Sequence, residues 1–358
     1  MAAIEGAEGE AAASLDELVL LLSNLDVPVR GRIVQRRKAP DPAIFLGKGK
    51  AEEIKAFAAG VDANLLVVDG ELTPTQRSNL KRATGLDVWD RAFTIMRIFE
   101  QRAATAEAKL QVELAMLRYE IPSLKGLGHQ MSRLGGGIGT RGPGETEFVR
   151  HRRKLERRIK FIEKSLKDVA RRREQRRYRL ERDRVPTVSL VGYTNGGKST
   201  LLRALSRDAE IAGEDKLFAT LDTVTRKVAV PDAGDFLLSD TVGFIRKLPP
   251  ALVAAFRATL EEVRNADLLL LVADASETNP TAAFDVVLET LREIGAAEVP
   301  RIVALNKIDR ADEESRFVAA GLSSRGEEVV RISALRGIGL DGLRARICEK
   351  LHEITAWS

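Results

Sequence analysis

"GYTNGGKST", residues 192 to 200, places Gly192, Gly197, Lys198 and Ser199 at the spacing G-x-x-x-x-G-K-S, between the apolar run "TVSLV" at 187–191 and the helical "LLRAL" at 201–205. A strand before and a helix after is the setting in which this spelling forms a phosphate cradle. Glycines let backbone N–H groups approach a β-phosphate at a helix N-terminus, the lysine reaches the β and γ oxygens, and the hydroxyl offers a ligand to Mg²⁺. The expected cradle comprises Gly192, Tyr193, Thr194, Asn195, Gly196, Gly197, Lys198, Ser199 and Thr200, with Lys198 acting on the transferred phosphoryl group.

Past Pro186, five short apolar runs alternate with helical stretches: "TVSLVGY" (187–193), "DFLLSDTVG" (235–243), "DLLLLVADAS" (267–276), "RIVALNKID" (301–309) and "EVVRISAL" (328–335). Bounded by turn residues, they predict a doubly wound parallel sheet. Three motifs fall at the ends of these runs. In "DTVG", Asp240 is expected behind the Mg²⁺ in its second shell, Thr241 and Val242 complete the loop, and the Gly243 N–H senses the γ-phosphate. In "NKID", Asp309 can accept two hydrogen bonds from the N1–H and N2–H₂ of guanine, a donor pair that adenine lacks, while Asn306, Lys307 and Ile308 brace the base edge. "SAL", Ser333, Ala334 and Leu335, would set a backbone N–H against the guanine O6. In this order, each at a strand end, the motifs specify a GTPase rather than an ATPase or kinase.

The loop that closes over Mg²⁺ is expected in "LFATLDTVTRK" at 217–227, with Phe218, Ala219, Thr220, Leu221 and Asp222 against the nucleotide. Thr220 is the expected metal ligand, joining Ser199, and Thr223 and Thr225 are its rivals. Phe244 follows "DTVG" where many GTPases carry a glutamine that orients the attacking water. An apolar ring cannot hydrogen-bond that water, so slow intrinsic hydrolysis is expected, with the missing group or the ordering supplied by a partner. Asn195 admits two readings: it holds K⁺ near the developing β–γ charge, or it structures the loop.

At 358 residues the chain exceeds the usual size of one core, and two domains are expected. It is 44% apolar, 30% charged and 5% aromatic. Its one cysteine, Cys348, cannot form an internal disulfide, and no Cys/His spacing resembles a zinc site. The start "MAAIEGAEGEAAAS" is acidic, unlike a signal peptide, and "LVLLL" at 18–22 is too short to span a bilayer. A cytoplasmic monomer without a membrane segment is expected.

Residues 1–28 read as a flexible N-terminus and a first helix, and 29–90 as a small, largely parallel α/β subdomain built from "RGRIVQ", "ANLLVVDG" and "LDVWD". Within it Thr73, Pro74 and Gln76 spell a capping box. Residues 91–184 read as an antiparallel helical hairpin. Its first arm carries one stripe from Met96 through Phe99, Ala103, Ala106, Leu110, Leu114 and Leu117 to Ile121, and its second a seam of Leu155, Ile159, Ile162, Leu166 and Val169. The arms flank a Gly-rich tip loop at 126–145, and residues 185–358 form the GTPase domain.

In the tip, "GGGIGTRGPGE" (135–145) contains a G-x-G-x-x-G frame at Gly137, Gly139 and Gly142. A dinucleotide turn must leave a strand and open a βαβ unit; this one is preceded by the polar "IPSLKGLGHQMSRL" and followed by basic helix, so that reading is rejected. Residues 150–184 carry 17 Lys/Arg against 6 Asp/Glu, although the whole chain has a net charge of only +5. Such a local excess is the footprint of a polyanion partner, against the alternative of a solvated helix face. Arg133, Arg141, Arg150, Arg152 and Arg153 are the candidate RNA contacts.

From about residue 29 to 345 the chain resembles the HflX family of ribosome-associated GTPases, of the translation-factor-related class. The resemblance rests on "GYTNGGKSTL", "LFATLD", "DTVGFIRKLP", "LVADAS", "NKID" and "SALRGIGLDGL", and, more particularly, on "DPAIFLGKGKAEEI", "DGELTPTQRSNL", "KLQVELAMLRY" and "LGGGIGTRGPGE". It implies a GTP/GDP-cycling protein that binds the large ribosomal subunit and its rRNA in the GTP state, in splitting, rescue or recycling of ribosomes under stress. Other readings are a GTPase acting on another RNA, as in assembly or tRNA modification, and a nucleotide-switched protein with an acidic protein partner. Gly196 stands where the family usually has Ala, Thr223 where a Pro is usual, and Arg150 and His151 replace an acidic position.

The two readings of Asn195 separate on a cation exchange. If it holds K⁺, replacing K⁺ by Na⁺ slows GTP hydrolysis in a phosphate-release assay; equal rates assign Asn195 to loop structure.

Overall fold

The computed structural model describes residues 1–5, 11–134, 143–182, 185–206, 224–230, 234–245, 257–277 and 279–354. The chain forms two compact units, one mainly of Met1–Gln101 and Lys109–Lys167, the other of Arg102–Ala108, Asp168–Leu248 and Phe256–Ser358.

The first unit holds a four-stranded parallel sheet of β1 (Ala2–Glu5), β2 (Ile33–Arg36), β3 (Leu65–Val68) and β4 (Asp87–Asp90), in the order β2-β1-β3-β4. Helices α1 (Ala11–Ser23), α2 (Lys48–Gly60) and α3 (Pro74–Thr84) connect them. Leu46, Ile54, Leu66, Val68 and Leu80 make the core. The expected flexible start is corrected here. Residues 2–5 are an inner strand, with Ala2 and Ala3 0% and 1% exposed. Alanines leave room for closely packed helices, but they give no strand signal by propensity.

The capping box of α3 is formed as expected. Gln76 N–H donates to Thr73 Oγ1 at 3.2 Å and Thr73 N–H to Gln76 Oε1 at 2.9 Å. Gly85 ends the helix in the left-handed region at φ +75°.

The stripe expected from 91 to 122 is split into α4 (Arg91–Arg102) and α5 (Ala106–Leu134). The break comes where Thr105 Oγ1 accepts the Ala108 N–H at 3.1 Å, a side-chain bond that starts a new helix. Helix α5 then runs through Pro122, and α6 spans Pro143–Arg182. Most of the expected 126–145 loop is therefore helical, leaving 135–142 outside the described residues. Leu, Lys, Gln, Met and Arg beyond Pro122 are good helix formers, and a proline within a long helix removes one backbone bond without ending it. Ile162 is fully buried, and Arg158–Glu113 and Arg118–Glu163 link the helical pair at 2.6 and 2.7 Å.

Two buried charge clusters belong to this unit. Arg91, 1% exposed, bonds Glu17 on α1 and Asp69 at 2.9 Å beyond β3. Arg77 on α3 reaches Asp90 at 3.3 Å and the hydroxyl of Tyr119 on α5, with its guanidinium 4.2 Å from that ring's centroid.

The second unit is a six-stranded sheet ordered β10-β9-β8-β5-β7-β6. Its strands are β5 (Thr187–Gly192), β6 (Val224–Val230), β7 (Gly234–Asp240), β8 (Leu268–Asp274), β9 (Arg301–Asn306) and β10 (Val329–Arg331), with α7 (Lys198–Ser206), α8 (Arg257–Arg264), α9 (Pro280–Glu293), α10 (Asp312–Ser324) and α11 (Leu340–Ile354). The five expected strands are parallel. The sixth, β6, pairs antiparallel with β7, so the sheet is mixed rather than wholly parallel. Its sequence "VTRKVAV" carries Arg226 and Lys227, charges that suit an edge strand and dilute its apolar signal. Among the described residues no helix is long and apolar enough to cross a membrane.

Thr73→Ala removes the cap of α3 and should cost about 1 kcal/mol of stability. Urea unfolding followed by circular dichroism measures this; an unchanged midpoint would show that the box contributes nothing.

Candidate functional site

Parallel strands deliver their C-terminal ends to one edge of the second sheet, and the loops after β5, β7, β9 and β10 meet there. Gly192 closes β5, residues 193–197 form the loop, and Lys198, Ser199 and Thr200 open α7. Three positions take backbone angles that most side chains avoid: Gly192 at φ +150°, Asn195 at +61° and Gly197 at +93°. A Cβ on Gly192 would stand 2.3 Å from Val272 O, and one on Gly197 2.3 Å from Asn306 Nδ2. Both glycines are therefore required by close approach.

The Lys198 ammonium donates to Tyr193 O at 2.8 Å and Gly192 O at 3.1 Å. Burial pushes its pKa down to about 8, with the Asp240 carboxylate acting in the opposite direction. Ser199 Oγ donates to Asp240 Oδ2 at 2.6 Å. The loop after β7 is joined to the cradle: Thr194 N–H donates to Phe244 O at 2.8 Å, and Phe244 N–H to Gly192 O at 3.0 Å. Thr241 Oγ1 anchors that loop on Leu190 O at 2.6 Å, and Val242 is buried. Gly243 lies so close that an added Cβ would be 2.9 Å from both Lys198 Nζ and Thr194 Cγ2. The Phe244 ring is 1% exposed, packed into the interior.

Asn306 ends β9 and is 2% exposed. Its Nδ2 donates to Gly196 O at 2.9 Å, and its Oδ1 accepts the Ala334 N–H at 2.9 Å. Ser333 Oγ donates to Asp309 Oδ1 at 2.6 Å, aligning an exposed carboxylate, and accepts the Arg336 N–H at 3.2 Å. Ile308 is buried, and Leu335 is exposed. Lys307, at φ +63°, pairs with Asp274 at 2.7 Å. Asp274 also accepts from Ser276 N–H and Oγ at 2.9 and 2.7 Å. Asp274 and Ser276 were not singled out as site residues, although "LVADAS" ends a run at the same sheet edge.

Phe218, Ala219, Thr220, Leu221, Asp222 and Thr223 lie outside the described residues. Thr225 is on β6, with its hydroxyl 2.9 Å from that of Ser239. Of the cationic candidates, Arg150 and Arg153 are exposed on α6 and Arg152 pairs with Glu156 at 2.8 Å. Arg133 falls on α5 with its side chain undescribed, and Arg141 lies outside the described residues.

A glycine-lined cradle opening a helix, a serine–aspartate pair beneath it and an asparagine joining two further loops define a P-loop GTPase. Family models agree along the chain: "GTP-binding GTPase N-terminal" matches residues 12–100, "GTP-binding GTPase Middle Region" 102–179 and "50S ribosome-binding GTPase" 187–307. The chain is 46% identical to the GTPase HflX of Caldanaerobacter subterraneus subsp. tengcongensis, covering 96% of this chain and 78% of that one. It is 44% identical to the GTPase HflX of Escherichia coli, with 94% and 79% covered. A crystal structure of a GTP-binding protein from the archaeon Sulfolobus solfataricus in complex with GDP aligns over 99% of both chains, with a TM-score of 0.50 and 26% identity. The chain belongs to the HflX family of GTPases.

Asn306→Ala would leave Gly196 O and Ala334 N–H without this partner, at about 1–3 kcal/mol for each buried group. A lower melting temperature and at least about tenfold weaker binding of a fluorescent guanine nucleotide are expected. Unchanged affinity would remove Asn306 from control of the cradle.

Proposed function

We propose that this chain binds and hydrolyses GTP and, in its GTP state, engages the large ribosomal subunit to split, rescue or recycle ribosomes under stress. The observation that carries the nucleotide reading is the convergence of Lys198, Ser199, Asp240, Asn306 and Ser333-aligned Asp309 at one sheet edge. Backbone N–H groups where the loop opens α7 cradle the phosphates, and the Lys198 ammonium leaves its loop carbonyls for the β and γ oxygens. Asp309 accepts the two guanine donors, and the Ala334 region, held by Asn306, faces O6.

The hydroxyl–carboxylate pair of Ser199 and Asp240 is an all-oxygen donor set suited to a hard cation, which fits Mg²⁺. Ser199, with Thr220 from the sequence before β6, would ligate it directly and Asp240 from behind. When bound, Mg²⁺ neutralises charge on the β and γ oxygens.

Gly243 N–H reports the γ-phosphate. The buried Phe244 ring supplies no hydrogen bond to an attacking water, which supports slow hydrolysis until a partner adds or orders a polar group. K⁺ at Asn195 is part of the same proposal. So are a monomeric state, a cytoplasmic location and the division into a small α/β subdomain, a helical hairpin and a GTPase domain.

The ribosomal reading draws on the family model's description and on the basic segment at 150–184, which suits sequence-blind contact with rRNA phosphates. Purified large subunits should raise the GTPase rate, and the chain should pellet with them in a non-hydrolysable GTP analogue but not in GDP. Deleting residues 126–145 should abolish both effects. Stimulation by another RNA or by a protein, with none from ribosomes, would overturn the assignment.

A further inference from the structure

Phe161 is a large apolar side chain, 57% exposed, on one of the most cationic helices of the chain. Its neighbour Ile162 is fully buried, so α6 has a packed face, and Phe161 is not on it. At helical spacing the residues around the ring are Arg157, Arg158, Lys164 and Ser165. Arg157 and Lys164 are exposed.

Arg158 is held differently from a free surface arginine. Its Nε and Nη2 donate to the two carboxylate oxygens of Glu113 on α5, at 2.6 and 2.8 Å. Tied by this fork, its guanidinium stands 5.3 Å from the Phe161 ring centroid. Glu113 thus fixes a planar cation over one face of an exposed planar ring, and the flanking Arg157 and Lys164 are exposed to solvent. Solvated helix faces do not need a phenyl ring, and contact with duplex phosphates alone gives it no partner. A flat ring bordered by cations matches an unstacked nucleobase whose neighbouring phosphates meet the cations.

We propose that Phe161, backed by the Glu113-clamped Arg158, is a stacking platform for an unpaired base of single-stranded RNA, with Arg157 and Lys164 on the adjoining phosphates. This deepens the RNA-contact reading above by adding base stacking to charge, and it rests on that reading for its biological setting. The charge complementarity and the exposed ring favour RNA over an acidic protein, for which the arginines would suffice without the ring.

The test titrates the full chain into a fluorescein-labelled oligouridylate, single-stranded or annealed to oligoadenylate. Phe161→Leu keeps an apolar side chain on an exposed site and should weaken single-strand binding about 5- to 150-fold, leaving duplex binding within about twofold. Phe161→Tyr should restore the single-strand affinity. Phe161→Trp should retain it with tryptophan emission quenched on binding. Equal single-strand affinity for the wild type and Phe161→Leu would overturn the proposal. So would parallel loss on both probes, or failure of Phe161→Tyr to rescue.

Pelleting of the wild type with large subunits is read separately. If pelleting fails while the oligouridylate results hold, the ribosomal reading falls and the stacking site stands. If pelleting holds while Phe161→Leu binds oligouridylate normally, the stacking site alone falls.

Discussion

One buried carboxamide holds the nucleotide edge together. Asn306 donates to the cradle at Gly196 and accepts from the loop after β10 at Ala334, so two loops far apart in sequence are fixed relative to β9 by a single side chain. Both bonds form away from water, where an unmet amide or carbonyl is costly, and this makes their geometry hard to relax. The same proximity dictates composition. Asn306 Nδ2 occupies the volume a Cβ of Gly197 would need, and Val272 O on the adjacent strand occupies the one Gly192 would need. The glycines of "GYTNGGKST" thus serve two constraints at once: close approach of phosphate on the open side, and close approach of the sheet on the other.

That constraint explains which parts were legible in the sequence. The loop motifs were readable because each is short, local and seated at the end of a strong apolar run. The links between them were less readable, because they depend on strand order. Lys307 pairs with Asp274 since β8 lies beside β9, a neighbour relation absent from either motif alone. The strands missed were those with weak local signals. β1 is only four residues long and opens on two alanines that give little strand preference, and β6 interrupts its apolar residues with the adjacent charges Arg226 and Lys227. The expected start of the tip loop misled for the converse reason, since α5 runs on through Pro122 to Leu134. A helix stop is a tendency of a few kcal/mol, and a long helix with good formers on both sides absorbs it.

The first unit adds a polar network to its apolar core. Arg91 is buried against Glu17 and Asp69, and Arg77 joins Asp90 to Tyr119, so α1, α3, α4, α5 and the ends of β3 and β4 are tied by charged side chains. Burial and the neighbouring Asp90 push the Tyr119 hydroxyl well above its usual range. Buried ion pairs are weak sources of net stability, because desolvation offsets attraction, but removal of one partner leaves a costly charge.

The surface of α6 follows another logic. Its cross-helix pairs, Arg158–Glu113 and Arg118–Glu163, are exposed on both sides, and such pairs are screened and contribute little to folding. The segment 150–184 carries 17 basic against 6 acidic residues, an excess whose self-repulsion opposes a compact state. The buried seam around Ile162 must offset that repulsion, so folding alone would favour fewer arginines. Glu113 then acquires a role other than stability: it holds one arginine in a fixed plane while the exposed charges around it remain available. Charge that opposes folding, retained beside an exposed ring and a clamped guanidinium, is what a surface needs when its partner brings both phosphates and bases.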